Sequence, residues 1–143
     1  MNSDAYDDPK VEAAWLTEQR THADEYLREQ RVPFGRVADR PAWHLAPYIA
    51  LWPVLGPRTG EIQYWVIVGD LPADFLSADA AAQPRRAIAS FAERWQGVAR
   101  GMLEGRKHPT IEIGQLESSA ELGDLLWRRA NLLAEFARDD QYW

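Results

Sequence analysis

At 143 residues, 46% of them hydrophobic, the chain has the length of one domain able to build its own core, burying roughly 70% of the surface its unfolded form exposes. It has no cysteine, which excludes disulfides, thiolate nucleophiles and cysteine-held metals, and no run near the ~20 apolar residues of a membrane span. The formal charge of −6 sits at the ends, −5 over residues 1–30 and −3 over 115–143 against +2 over 31–55, so nucleic acid is not an expected partner.

The opening "MNSDAYDDPK" has no basic stretch followed by an apolar one, and the expectation is a soluble, cytoplasmic protein. Asp7 and Asp8 stand before Pro9, a capping carboxylate and then a proline whose missing N–H costs a first turn nothing. Val11, Trp15, Leu16, Ala23 and Leu27 recur at roughly helical spacing between charges, which predicts a first helix over about 9–30. "RVPFGRVADRP" then reads as a loop.

The stretch "PAWHLAPYIALWPVL", Pro41–Leu55, is apolar at both parities and carries three prolines six residues apart. Pro47 and Pro53 exclude a helix interior, so 43–52 is predicted as an extended strand covered on both faces. "IQYWVIVG" (62–69) is rich in β-branched and aromatic residues, and the intervening "GPRTGE" supplies turn residues. The two segments are expected to pair as an antiparallel hairpin. Pro41, Pro47 and Pro53 share odd parity, and strand residues of one parity point their N–H groups to one edge. The even residues His44, Ala46, Tyr48 and Ala50 are therefore expected to bond the 62–69 strand, leaving the odd side as a sheet border or under a loop.

"GDLPADFLSAD" is a turn-rich connector. Ile88, Phe91, Trp95, Val98 and Met102 follow at 3, 4, 3, 4 spacing between Pro84 and Gly105 and predict a second helix over about 84–104. Gly97, Gly101 and Gly105 lie four apart on a neighbouring face, where either the helix end frays or another backbone comes close. "TIEIG" suggests a third strand at about 109–113. Ser118 and Glu121 form a capping box ahead of Leu122, Leu125, Leu126, Leu132, Leu133 and Phe136, which predicts a third helix over about 119–138. The sum is one α+β domain over 1–143, a small antiparallel sheet packed with three helices, with no repeat or linker dividing it.

The chemical signatures are few. There is no G-x-G-x-x-G, phosphate-binding lysine loop, G-x-S-x-G or H-E-x-x-H, and only Lys10 and Lys107 offer an amine. Of three histidines, His22 lies on the first helix near Glu18, Glu25 and Tyr26, and His108 follows the second helix; both read as structural or solvent-facing. His44 is the exception, inside a predicted strand on the face of Tyr48 and Trp52, where an imidazole must find hydrogen-bond partners. In an antiparallel hairpin the start of the first strand lies beside the end of the second, which puts His44 near Asp70. His44, Asp70, Asp74 and Tyr48 are thus the candidate catalytic or binding residues, a base oriented by a carboxylate. The structural reading of the same residues is a histidine satisfying a turn, with Asp70 before Leu71-Pro72 as turn residue and Asp79 as a helix cap. No cofactor or metal site is expected, since no ligand spacing is recognisable. The seven tryptophans fall on predicted stripes and strands as core, near its boundary so that each indole N–H finds an acceptor; terminal Trp143 is a docked anchor, an exposed ring or an interface.

On "AWLTEQR", "PAWHLAPYIALW", "YWVIVGDLPADFLSAD" and "SFAERW", the chain resembles a family of small bacterial proteins known only as a domain of unknown function. The resemblance implies a bacterial, single-domain, cytosolic protein and assigns no activity to any position. The leading expectation is a non-enzymatic interaction module, immunity-type or regulatory, that binds a protein partner through its acidic helix face or the proline-marked sheet border. The alternatives are a small enzyme or ligand-binding protein built on His44 and Asp70, and a homodimer formed through a helix face or the C-terminal tail.

Overall fold

The computed structural model describes residues 3–104 and 120–143 and has an α+β architecture. Its contacts divide it into two compact units, one up to Asp79 and one from Ala80. The predicted third strand at 109–113 and Ser118 of the capping box lie outside the described residues.

In the first unit a 3-10 turn, Ser3–Asp7, leads into α1, Pro9–Glu29. The helix starts as its cap residues dictate: the Asp8 carboxylate accepts the Lys10 N–H at 2.9 Å and Pro9 takes the first helical position. Five strands follow: β1 (Arg36–Val37), β2 (Trp43–Leu45), β3 (Ile49–Leu55), β4 (Ile62–Gly69) and β5 (Asp74–Ser77). The sheet order is β1-β3-β4-β5 with β2 also on β3, and every pairing is antiparallel.

The strand expected over 43–52 is two strands. The chain reverses at Ala46-Pro47-Tyr48, Leu45 pairs with Ile49, and the Tyr48 N–H donates to Leu45 O at 2.7 Å. Pro47 has no donor to continue a ladder and sits in the turn, after a cis Ala46–Pro47 peptide. Within this stretch only β3 pairs with β4, and His44 and Ala46, expected to bond β4, belong to the β2–β3 hairpin instead. The odd edge of β3 does face away from β4. The carbonyls of Leu51, Pro53 and Leu55 accept the N–H groups of Ala42, Ala38 and Gly35. Pro53 sits in the gap between the β2 pairing (49–51) and the β1 pairing (54–55), where no ladder donor is needed.

Trp15, Ala23, Tyr26 and Leu27 of α1 pack over the even residues of the sheet, Ala50, Trp52, Val54, Val66 and Val68. Arg20 fixes the helix in place, donating to the carbonyls of Ala38 at 2.9 Å and Val37 at 2.6 Å. The odd residues Ile49, Leu51 and Ile67 are also fully buried, so β3 from Ile49 to Trp52 and β4 from Trp65 to Val68 are closed to water on both broad sides. Val11, placed by spacing on the buried stripe, is exposed instead. Trp52 corrects the expectation for indoles: it is 1% exposed, not at the core boundary, and its Nε1, like Gln19 Oε1 on α1, has no hydrogen-bond partner among the described residues.

The second unit is an antiparallel pair of helices, α2 (Pro84–Leu103) and α3 (Ala120–Arg138). Arg85 Nε donates to Ala137 O at 2.7 Å and Gln96 Nε2 to Asn131 Oδ1 at 3.1 Å, which sets the opposed directions. The predicted α2 stripe is buried at every position, and Leu126, Ala130 and Leu133 are buried on α3, whereas Leu125 turns outward. The N-cap of α2 is Gln83, and Asp79, expected to cap, lies in a 3-10 turn at 78–80. Trp143 is tied down yet exposed: its Nε1 donates to Phe136 O at 2.9 Å, beside the Phe136–Tyr142 ring pair, while 38% of the residue stays open to solvent.

Of the three glycines, Gly97 supports neither reading, and Gly105 lies outside the described residues. α2 continues to Leu103, and a Cβ at Gly97 would meet nothing within 4 Å. The close approach is at Gly123 of α3, where a Cβ would stand 2.8 Å from Met102 Cβ and 3.2 Å from Ala99 O. Gly123→Ala is expected to cost about 1–3 kcal/mol by overpacking. Gly97→Ala should stabilise by up to ~1 kcal/mol, since it removes only a flexible residue from an exposed helical position. Urea denaturation of the two variants checks the opposite signs.

Candidate functional site

The site begins with Gly69. Its φ is 141°, and an alanine Cβ there would run into the Tyr48 carbonyl, 2.8 Å from its carbon and 3.0 Å from Ile49 Cα. Only glycine lets the end of β4 come this close to the hairpin tip. The next residue, Asp70, then donates its N–H to Tyr48 O at 2.8 Å. The "GD" of "GDLP" is thus a backbone seat that fixes the β2–β3 turn and with it Tyr48.

The other wall comes from the N-terminal segment. Tyr6 packs edge-on against Trp15, ring centroids 6.3 Å apart, and this holds the 3-10 turn against the first turns of α1. Glu12, one turn before Trp15, faces the hairpin, and its Oε1 lies 3.5 Å from Nε2 of His44. His44 is opposite Ala50 in the β2–β3 register, so it shares the sheet face that α1 covers. Between these walls runs a cleft of about 350 Å³ lined by Asp4, Tyr6, Asp7, Glu12, His44 and Tyr48, with Leu45 and Ala46 behind them. Tyr48 stands 39% exposed at its lip, while the His44 side chain is 30% exposed.

Of the four residues singled out in the sequence, the cleft unites two, His44 and Tyr48. The carboxylate beside His44 is Glu12. Asp70 lies against Tyr48 through its backbone, one strand away from His44, because the chain reverses at Pro47 before it meets β4. Asp74 is fully buried opposite Ile67, on the face away from α1, where its Oδ1 accepts the Phe75 N–H at 2.9 Å. Neither Asp70 nor Asp74 lines the cleft. Asp4, Tyr6, Asp7 and Glu12 were missed as site residues. The −5 charge of the first thirty residues announced the acids, and Glu12 three residues before Trp15 continues the sheet-facing stripe by one turn. Among the described residues no three His, Asp or Glu side chains group as a metal site requires.

A cleft with carboxylates, phenols and one imidazole can hold a cationic or hydrogen-bonding group. Among the described residues that line it there is no serine, threonine or lysine. A family model described as domain of unknown function DUF4826 matches residues 9–143. The chain belongs to this family. No curated protein and no solved structure matches it. In this DUF4826 chain the match takes in α1, all five strands, α2 and α3, with Glu12, His44 and Tyr48 inside it and Asp4, Tyr6 and Asp7 ahead of it. No helix among the described residues is long and apolar enough to cross a membrane.

Proposed function

We propose that the protein is a non-enzymatic, cytosolic protein-interaction module, immunity-type or regulatory, whose docking site is the acidic cleft between the N-terminal 3-10 turn, α1 and the β2–β3 tip. The observation that carries this reading is the convergence of Asp4, Asp7 and Glu12 with Tyr6, His44 and Tyr48 around one open cleft. Acidic side chains at a rim steer a basic partner, and the exposed Tyr48 gives contact area at low entropic cost. A ligand-binding or enzymatic reading keeps one observation in its favour, the 3.5 Å approach of His44 and Glu12 within that cleft. It would employ Glu12 in the place foreseen for Asp70.

Affinity capture with chemical crosslinking from native lysate tests the reading. The wild-type chain should recover a specific partner crosslinked near Lys10, and the variant D4N/D7N/E12Q should recover it about tenfold less, the equivalent of ~1.4 kcal/mol. All three acids are on the surface and the Asp8 cap is untouched, so the variant should melt within a few degrees of wild type. Equal capture by wild type and variant, or none above the bare support, would contradict the proposal.

A further inference from the structure

We infer that the cleft receives one arginine side chain, presented by a basic segment of the partner protein. The inference rests on the interaction-module reading and adds the chemistry that is recognised. The walls are of two kinds, the rings of Tyr6 and Tyr48 and the carboxylates of Asp4, Asp7 and Glu12. A guanidinium uses both at once, because its planar face stacks on a phenol while its edge donates paired hydrogen bonds to a carboxylate. An ammonium is a compact point charge that gains less from the rings. At about 350 Å³ the cleft is at the small end of ligand pockets, right for one side chain and a few waters.

The chain satisfies its own guanidinium in the same way elsewhere. Arg28 lies 5.4 Å above the Phe34 ring and donates from Nε to Asp24 Oδ2 at 2.8 Å. The pairing with Asp24 raises the Arg28 pKa. The cleft offers the same two elements, with more than one of each. His44 lies on the α1 side of the hairpin, its Nε2 3.5 Å from Glu12 Oε1.

The test is titration of the isotope-labelled full chain with capped pentapeptides Gly-Gly-Xaa-Gly-Gly, Xaa being arginine, lysine or glutamine, and with capped arginine amide alone. Ring resonances of Tyr6, Tyr48 and His44 are followed by NMR. The arginine peptide should shift these three sets, bind about fivefold tighter than the lysine peptide and exceed the capped amide, while glutamine leaves them unmoved. Tyr48→Ala and Glu12→Gln should each weaken arginine binding about tenfold, and Tyr48→Phe, which keeps the ring, should restore most of it. Equal binding of lysine, an equal effect of the capped amide, or shifts confined to other residues would overturn the inference. If D4N/D7N/E12Q loses its lysate partner while the arginine peptide leaves the cleft unmoved, the interaction module stands and the arginine assignment falls.

Discussion

Replacing Gly69 with alanine is expected to lower the melting temperature by about 10 °C and to disturb the cleft although the residue does not line it. Two costs combine. The φ of 141° is one that residues with a Cβ rarely adopt, and the added carbon would overlap the Tyr48 carbonyl group, which is backbone and cannot turn aside. Strain of ~1–3 kcal/mol and overpacking of similar size give a loss of about 3 kcal/mol or more, a large part of a typical ~5–15 kcal/mol stability. If the chain yields instead, the β2–β3 tip moves off β4 and takes Tyr48 with it, so arginine-peptide binding should weaken in the same variant. Gly60 is the control. Its φ is 68°, but a Cβ there meets nothing within 4 Å, so Gly60→Ala should cost only about 1–2 kcal/mol. Equal losses for the two variants in thermal and urea denaturation would show that the close approach of Tyr48 to Gly69 is not what fixes the hairpin.

The neighbours Leu51 and Trp52 give the second large effect. They point to opposite faces of β3, and each is essentially without exposure, 0% and 1%. Leu51→Ala is expected to cost about 2–5 kcal/mol and Trp52→Ala about 3–5 kcal/mol, since each removes buried apolar volume that its surroundings cannot refill. On a sheet with one wet face, one of the two substitutions would fall within about 0.5 kcal/mol of neutral. The unpartnered Nε1 of Trp52 refines the comparison. Trp52→Phe discards a buried donor that finds no partner among the described residues, so it should cost clearly less than the alanine change despite the smaller ring. Urea midpoints at constant m-value measure all three.

Much of the frame was legible in the sequence because it rests on local, repeating patterns. Asp8-Pro9 set the start of α1, the 3, 4, 3, 4 spacing from Ile88 to Met102 set the buried face of α2, and the apolar run at both parities announced a strand hidden on both sides. What was misread depends on where the chain reverses. Pro47 could end a strand or sit on its edge, and both agree with its missing donor; the difference decides whether His44 faces Asp70 or Glu12. Odd parity alone placed the prolines on the outer edge, yet it could not show that residues 35–45 would return to line that edge. The cleft was legible only in halves, the acidic beginning of the chain and the His44–Tyr48 stretch, because a contact between residues 12 and 44 leaves no trace in local spacing. Gly123, where the two helices come close, stood alone in its sequence, whereas Gly97, which meets nothing, drew attention as part of a regular series.

The idea that joins fold and function is a ribbon sealed on both sides whose tip alone is left to act, and amide hydrogen exchange with and without the arginine peptide measures it directly. The amides of Leu51, Trp52 and Val54 should exchange only through global unfolding, while those of residues 4–7 exchange orders of magnitude faster in the free chain. Added peptide should slow exchange at residues 4–7 and around Tyr48 and leave the interior of β3 unchanged. Exchange of Leu51 or Trp52 as fast as that of the N-terminal turn, or protection by the peptide that bypasses Tyr48 altogether, would contradict it.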